Sequence, residues 1–312
     1  MLKLWRNLRP YALAATIVVI LVAAQAMAEL YLPTLMSDIV DIGIVKGDTG
    51  YILRTGGVML LIALGDMAAA IVTSLLSSRV GMGFGRDLRR KVFTRVEGFS
   101  LHEFDIIGTP SLITRTTNDI TQVQMFTMMF LRMFIMAPIM AVGGVFMAWH
   151  KDARLMWVLA IVVPIIVIVV SITAARALPL FRAIQKKIDR INLVLREGLS
   201  GVRVVRAFDR VEHEKKRFDE ANVDLTGTSI KVNKIMAVMM PLMMLIMNLT
   251  SVAIVWFGAK RIDLGEMQVG SLMAFIQYGM QILFSLLMVS FLFIMFPRAS
   301  ASATRVNEVL AM

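Results

Sequence analysis

The sequence predicts an all-α membrane protein with six transmembrane helices, some of which continue as long helices beyond the bilayer. Hydrophobic residues make up 58% of the 312 residues and charged residues 18%, whereas soluble domains contain about 45–50% and about 25%. The mean hydropathy is correspondingly high, at +0.74. The apolar residues are concentrated in six long stretches, and the segments between them show helical rather than strand-like spacing.

Each of the six apolar stretches is long enough to cross a bilayer, which takes roughly 20 helical residues at about 1.5 Å rise each. Several contain a proline, which a transmembrane helix tolerates because neighbouring helices satisfy the freed carbonyl groups. The first stretch is too long for a cleavable signal peptide and has no evident small-residue cleavage site. We number the predicted spans 1 to 6 and place them at residues 11–36, 58–77, 132–149, 155–177, 235–259 and 270–296.

Lysine and arginine are distributed unevenly among the segments that separate the spans. The N-terminal residues and the segments 79–131 and 178–234 are rich in them, whereas the other three connections are short and hold few. Basic residues accumulate on the cytoplasmic side of membrane proteins. We therefore predict that both termini and these two segments are cytoplasmic.

The two cytoplasmic segments are predicted to be helical stalks rather than flexible linkers. Neither is enriched in glycine, serine and proline, and in 178–234 apolar residues such as Phe181, Ile184 and Ile188 recur at three- and four-residue steps. The second stalk must turn back toward the membrane. We expect that turn at Gly198 and Gly201, where glycine interrupts the pattern.

Residues beyond this turn have the composition of a small docking surface. Val202, Val205 and Phe208 would share one edge of a short helix, with arginines beside them. An apolar edge on a charged stalk suits docking into the groove of a partner protein. A solvated loop with a few buried valines fits the same periodicity equally well.

Both cytoplasmic segments resemble intracellular loops of the ATP-binding-cassette (ABC) exporters. The N-terminal "YLPTLMSDIVDIGIVKGD" is also similar to bacterial multidrug-type members of that family. In "EGLSGVRVVRAFDRVEHE" the matches to the loop that carries a coupling helix are Glu197, Gly201, Val205, Arg206, Ala207 and Phe208. In "FSLHEFDIIGTPSLITRTTNDI" the matches to the other loop are Phe104, Asp105, Gly108, Thr109, Leu112, Ile113, Arg115, Asn118 and Asp119.

The resemblance covers the whole chain and implies the six-helix transmembrane domain of a type 1 ABC exporter in a bacterial plasma membrane. Two copies, or this chain and a related one, would form a dimer that exports an amphipathic drug or lipid by alternating access. ATP and Mg would bind in separate nucleotide-binding domains. The residues implied to couple to those domains are Ser100, Glu103, Phe104, Asp105, Gly201, Val202, Val205, Arg206 and Phe208.

Nucleotide chemistry is not expected within the 312 residues. They contain no phosphate-binding G-x-x-x-x-G-K-[ST] loop. We therefore expect no ATPase residues, no cofactor and no nucleotide-binding domain in this chain. The glycines of "GMGFGRD" follow a span and not a strand, so close helix packing explains them better than dinucleotide binding. The three histidines fall in separate loops and cysteine is absent, so no metal site is expected.

Polar side chains inside the predicted spans are the candidates for contact with cargo, because burying a charge in a bilayer is costly and commonly functional. Glu29 and Asp66 form either structural hydrogen bonds or an acidic lining that favours cationic cargo. The methionines of span 5 either pack in the core or form a deformable wall. The candidate cavity residues are Glu29, Asp66, Met243, Met247, Gln277 and Gln281.

Three other functions were weighed against ABC export. The net charge of +11 suggests nucleic acid, but in a membrane protein it reflects basic cytoplasmic segments, so we expect no nucleic-acid partner. A cassette-free permease driven by an ion gradient would use Glu29 and Asp66 as proton carriers. A channel or a scaffold that pumps no cargo would not explain the two long stalks.

Overall fold

The computed structural model describes residues 2–312, apart from the side chains of Leu2, Lys3, Ser290, Phe293 and Ile294. Residues 2–312 are helical or lie in short turns and include no strand. Six of the helices are long and apolar enough to cross a membrane. The predicted all-α fold with six apolar spans is confirmed.

The helices follow one another with short connections. Helix α1 (Leu2–Trp5) leads through a 3-10 turn (Arg6–Tyr11) into α2 (Ala12–Asp38), which continues as a π-helical segment (Ile39–Ile44). The remaining elements are α3 (Thr49–Glu97), α4 (Leu101–Ile107), α5 (Thr109–Thr114), a π-helical segment (Arg115–Asp119), α6 (Ile120–Lys151), α7 (Met156–Ser200), α8 (Val202–Ala207), α9 (Val211–Asp263) and α10 (Val269–Ala311).

Several long helices extend well past the predicted ends of their spans. Helix α7 has 45 residues and α9 has 53. At about 1.5 Å per residue, α7 is about 65–70 Å long, more than twice the roughly 30 Å of a hydrocarbon core. The segment between spans 4 and 5 is therefore a continuation of the apolar helices, with short α8 between their ends.

The chain forms two compact units. Unit 1 comprises the residues up to Met156 and those from Ile254 onward, and unit 2 comprises Trp157–Ala253. Helices α2, α3, α6 and α10 pack together in unit 1. Unit 2 contains α8, nearly all of α7 and most of α9.

Close packing of α3 against α6 depends on glycine in the "GMGFGRD" stretch. A Cβ atom at Gly81 would lie 2.1 Å from Cγ of Met128, and one at Gly85 would lie 2.1 Å from Oε1 of Gln124. Neither distance is compatible with a side chain at the glycine, so these two positions let the helices approach. The packing interpretation of this stretch is confirmed.

The part of unit 1 that contains α4 and α5 has its own hydrophobic core. Side chains from α1, α3, α5, α6 and the last turns of α10 form one buried cluster. Burial of this kind is the main favourable term in folding, so it holds α4 and α5 in place next to the end of α10. The buried members are Leu4, Phe84, Leu88, Val92, Leu112, Ile120, Val123, Ala303, Val306 and Val309.

Candidate functional site

Helix α4 is a seven-residue helix with well-defined ends. The backbone N–H of Ser100 donates a hydrogen bond to Oε2 of Glu103 at 2.6 Å, as part of a capping box. This bond holds the pKa of Glu103 below its usual value. At the other end Gly108 has a φ of 77°, a conformation that favours glycine. Two residues of the predicted coupling set, Ser100 and Glu103, thus define where the helix begins.

The apolar side chains that α4 presents to solvent are not those singled out from the sequence. Phe104 is half-buried and packs edge-on against Phe99, with ring centroids 6.1 Å apart. Asp105 is exposed. Leu101 and Ile106 are exposed at 84% and 59%, respectively. These two residues were missed, because the pattern of so short a helix does not show which face meets the core.

Helix α8 lies between two turns that the local sequence explains. Helix α7 ends at Ser200, and Gly201 has a φ of −91° and a ψ of 7°. A Cβ atom at Gly201 would lie 2.9 Å from the carbonyl oxygen of Glu197, so the turn requires glycine. Gly198, the other residue expected at this turn, lies inside α7. After Phe208, Asp209 adopts a positive φ of 51°.

The exposed surface of α8 is mostly apolar and lies beside exposed arginines. Phe208 is 74% exposed, and Val202 and Val204 are exposed as well. Val205 is half-buried, so it contributes less to this surface than Val204, which was not singled out. Arg206 is exposed. We call Val202, Val204 and Phe208 the α8 surface.

Ion pairs join the two helices that carry α8. Nζ of Lys187 on α7 lies 2.6 Å from Oδ1 of Asp224 on α9 and donates to Oγ1 of Thr228 at 2.7 Å. Closer to α8, Arg217 on α9 pairs with Glu197 on α7. Such surface pairs contribute little stability each, roughly 0–1 kcal/mol. Their positions nevertheless fix the register of the two helices up to α8.

A buried ion pair ties the end of α10 to the segment that precedes α6. Asp119 is fully buried and accepts hydrogen bonds from Arg305 and from Oγ of Ser302, the latter at 2.9 Å. Arg115 donates to Oε2 of Glu308 at 2.9 Å. Arg115 and Asp119 belong to the family-like run, but their partners could not be predicted from the sequence, because Arg305 lies 186 residues from Asp119.

Polar side chains in the predicted spans of unit 1 form a cluster. Nε2 of Gln281 on α10 donates to the backbone oxygen of Glu29 at 3.1 Å, and Nε2 of Gln25 donates to that of Asp66 at 3.5 Å. The Glu29 carboxylate is repelled by Asp66 and attracted by Arg132. Within the described residues, Oδ1 of Asp66 and Oε1 of Gln281 are buried without a hydrogen-bond partner. Glu29, Asp66 and Gln281 thus form the membrane cluster.

The other three candidate cavity residues are Gln277 on α10 and Met243 and Met247 on α9. Gln277 is exposed, although it is one helical turn from Gln281. Met243 and Met247 belong to unit 2, where Met243 is buried and Met247 is half-buried. On the same helix Met240 and Met244 are exposed.

Comparison with known proteins identifies the family that this architecture defines. Residues 15–287 match the ABC transporter transmembrane region. The chain therefore belongs to this family, and it is a multi-pass membrane protein, as the two family-like runs indicated.

Two similar proteins are longer than this chain. It is 44% identical over 306 residues to an uncharacterized ABC transporter ATP-binding protein of Mycobacterium tuberculosis, covering 98% of this chain and 53% of the relative. It is 35% identical over 303 residues to the uncharacterized ABC transporter ATP-binding protein YfiB of Bacillus subtilis, covering 97% of this chain and 53% of the relative. The chain spans about half the length of these relatives.

Proposed function

We propose that this chain is the membrane-spanning part of an ATP-driven exporter of amphipathic small molecules, either drugs or lipids. The observation that carries the proposal is the pair of short helices α4 and α8. Each lies among helices that continue from the membrane spans, and each presents exposed apolar side chains. Apolar side chains on such tips suit docking of a separate cytoplasmic domain.

The proposed mechanism uses the long helices as rigid connections. Nucleotide-binding domains would contact Leu101 and Ile106 on α4 and the α8 surface. Movement of those domains on ATP binding would be transmitted because Lys187–Asp224 and Glu197–Arg217 hold α7 and α9 in register. The membrane cavity would then alternate between inward and outward access, a switch between two packed states.

The proposal places the nucleotide chemistry outside this chain. ATP and Mg would bind in the nucleotide-binding domains, and this chain would supply no ATPase residue. A second transmembrane domain, identical or related, would complete a dimer in the plasma membrane of a bacterium. Both relatives are named as ATP-binding proteins. Their names favour this function over transport driven by an ion gradient.

The proposed topology predicts which positions are accessible from outside the cell. Lys46 and Lys260 are exposed and would lie outside, whereas Arg203 would lie in the cytoplasm. Single cysteines introduced at these positions are readily tested, because the chain has no cysteine. On intact cells a membrane-impermeant thiol reagent should label positions 46 and 260 and leave position 203 unmodified. Labelling at position 203, with none at positions 46 and 260, would show that the orientation in the membrane is the opposite of the proposed one.

The membrane cluster predicts a preference for positively charged cargo. Glu29→Gln removes the charge but keeps the shape, so the apparent affinity for an amphipathic cation should fall roughly tenfold, about 1.4 kcal/mol. The affinity for a neutral amphipath should change little. The measurement is ATP-dependent uptake of both cargo types into inside-out vesicles that contain the full transporter.

Asp263→Asn is the matched control, because it removes one carboxylate from an exposed position at the end of α9. If Glu29→Gln lowered the apparent affinity for both cargo types equally, the role of Glu29 would be structural. Absence of ATP-dependent uptake for every amphipath tested would contradict the exporter itself.

A further inference from the structure

Unit 2 contains a cavity of about 450 Å³ between α7 and α9. Four of the residues that line it lie on α7 and five lie on α9. Apart from Thr173, the lining is apolar except at the end nearest α8, where Arg176 and Lys234 lie. The full lining is Val169, Ile172, Thr173, Arg176, Lys234, Ile235, Val238, Met239 and Leu242.

The two cations lie where the inner membrane surface is expected. No charged residue occurs between Arg154 and Arg176, or between Lys234 and Lys260. From Met156, where α7 begins, to Arg176 the helix rises about 30 Å, which is close to the thickness of a hydrocarbon core. Under the proposed topology, Arg176 and Lys234 are therefore at headgroup level, and the apolar part of the cavity is at acyl-chain level.

Neither cation is neutralised by the protein. Among the described residues, no hydrogen bond or ion pair involves the side chain of Arg176 or Lys234, and both residues are exposed. Farther along the same two helices, Lys187 pairs with Asp224 and Arg217 pairs with Glu197. Carboxylates on α7 and α9 thus pair with basic side chains in the stalk, whereas none pairs with the two basic side chains at the cavity.

A positive end and an apolar interior match the two parts of an anionic lipid. A free anion would leave the apolar part of the cavity unused, and a neutral lipid would leave the cations without a counter-charge. Basic pockets between transmembrane helices on the cytoplasmic side are a known type of site for anionic headgroups.

We propose that this cavity binds an anionic phospholipid of the cytoplasmic leaflet. The lipid phosphate would lie on Arg176 and Lys234, and an acyl chain would fill the groove formed by Ile172, Val238 and Met239. The leaflet assignment rests on the proposed topology, but the binding itself does not depend on ATP or transport. The bound lipid would add contacts between α7 and α9 and stabilise unit 2.

The test compares three probes on the purified chain in a neutral detergent. Phosphatidylglycerol should bind in native mass spectrometry and raise the Tm, whereas phosphatidylcholine with the same acyl chains should do neither. Inorganic phosphate at the same concentration should not displace the bound lipid. Because no step needs ATP, failure here would leave the exporter proposal intact.

Two variants separate the headgroup from the acyl chain. R176Q/K234Q should weaken phosphatidylglycerol binding by roughly thirtyfold, about fivefold for each charge. R182Q/K231Q is the matched control, since it removes two exposed charges from the same helices outside the cavity. Met239→Trp changes no charge but fills the groove, and it should also weaken binding.

Three results would overturn the proposal. Equal binding of the anionic and the neutral lipid would show that the cations are not used. Equal loss in the two double variants would reduce the effect to general surface charge. Displacement by inorganic phosphate, together with no effect of Met239→Trp, would leave a site for an adventitious anion only.

Discussion

Phe208→Ala is expected to abolish most cargo transport while leaving the chain folded. The side chain is 74% exposed, so its removal costs this chain few internal contacts. If Phe208 docks into a nucleotide-binding domain, truncation removes an interface contact of the kind that contributes about 2–4 kcal/mol at hot spots. In a solvated loop the same change would fall within about 0.5 kcal/mol. The sequence leaves open a docking surface and a solvated loop. The docking equilibrium constants that the two predict for Phe208→Ala therefore differ by at least about a factor of ten.

The measurement is cargo-stimulated ATP turnover and transport by the full transporter, each normalised to the folded yield. Phe181→Ala makes the same change at an exposed position of α7, away from α8, and should transport normally. Charge reversal at Arg206 should weaken coupling less than Phe208→Ala, because a charge on the solvated rim contributes less. Normal transport by Phe208→Ala would contradict the docking role of the α8 surface.

Much of the fold could be predicted because a bilayer imposes simple constraints. The length and apolarity of six stretches determine the spans, and helical spacing in 178–234 indicates that the helices continue past the membrane. The family was recognisable from two runs between the spans, and the structure explains the glycines in both. Gly108 has a positive φ, and Gly201 lies against the carbonyl oxygen of Glu197.

The orientation of side chains on short helices could not be predicted from periodicity. Phe104 is half-buried because Phe99 and the core at the end of α10 pack against it, whereas Leu101 and Ile106 remain exposed. In α8, Val205 was expected on the apolar edge but is half-buried, whereas Val204, which was not singled out, is exposed. In both helices the partner that decides the inward face is distant in the sequence or lies beyond the helix itself.

The membrane cluster likewise could not be predicted in full from the sequence. Glu29, Asp66 and Gln281 were each recognised as polar residues in apolar spans. Gln281 donates a hydrogen bond to the backbone oxygen of Glu29, and the backbone oxygen of Asp66 accepts one from Gln25 on α2. Gln277 was chosen on the same grounds but is exposed. Polarity within a span therefore identifies candidates, and only packing decides which of them meet.

Arg305→Gln is expected to open unit 1 at the end where α10 terminates. Asp119 is fully buried, whereas the Arg305 side chain is 45% exposed. Removing the arginine leaves the buried carboxylate with the hydroxyl of Ser302 and without its counter-charge, a change that typically costs about 3–5 kcal/mol. Asp119→Asn should cost less, because Arg305 can still reach water. The double variant D119N/R305Q should be more stable than R305Q alone, since it has no unpaired buried charge.

Hydrogen exchange of the backbone N–H groups in residues 299–309 measures this opening directly. In R305Q we expect exchange to accelerate by about two to four orders of magnitude, which corresponds to the expected loss of about 3–5 kcal/mol. Arg298→Gln, an exposed change on the same helix, should alter it little. If these N–H groups were equally protected from exchange in R305Q and Arg298→Gln, the Asp119–Arg305 ion pair would contribute nothing to the stability of this end of α10. Selective loss would instead establish Asp119 as the residue that fixes the end of α10 to the segment carrying α4, so that α4 and α10 move as one body.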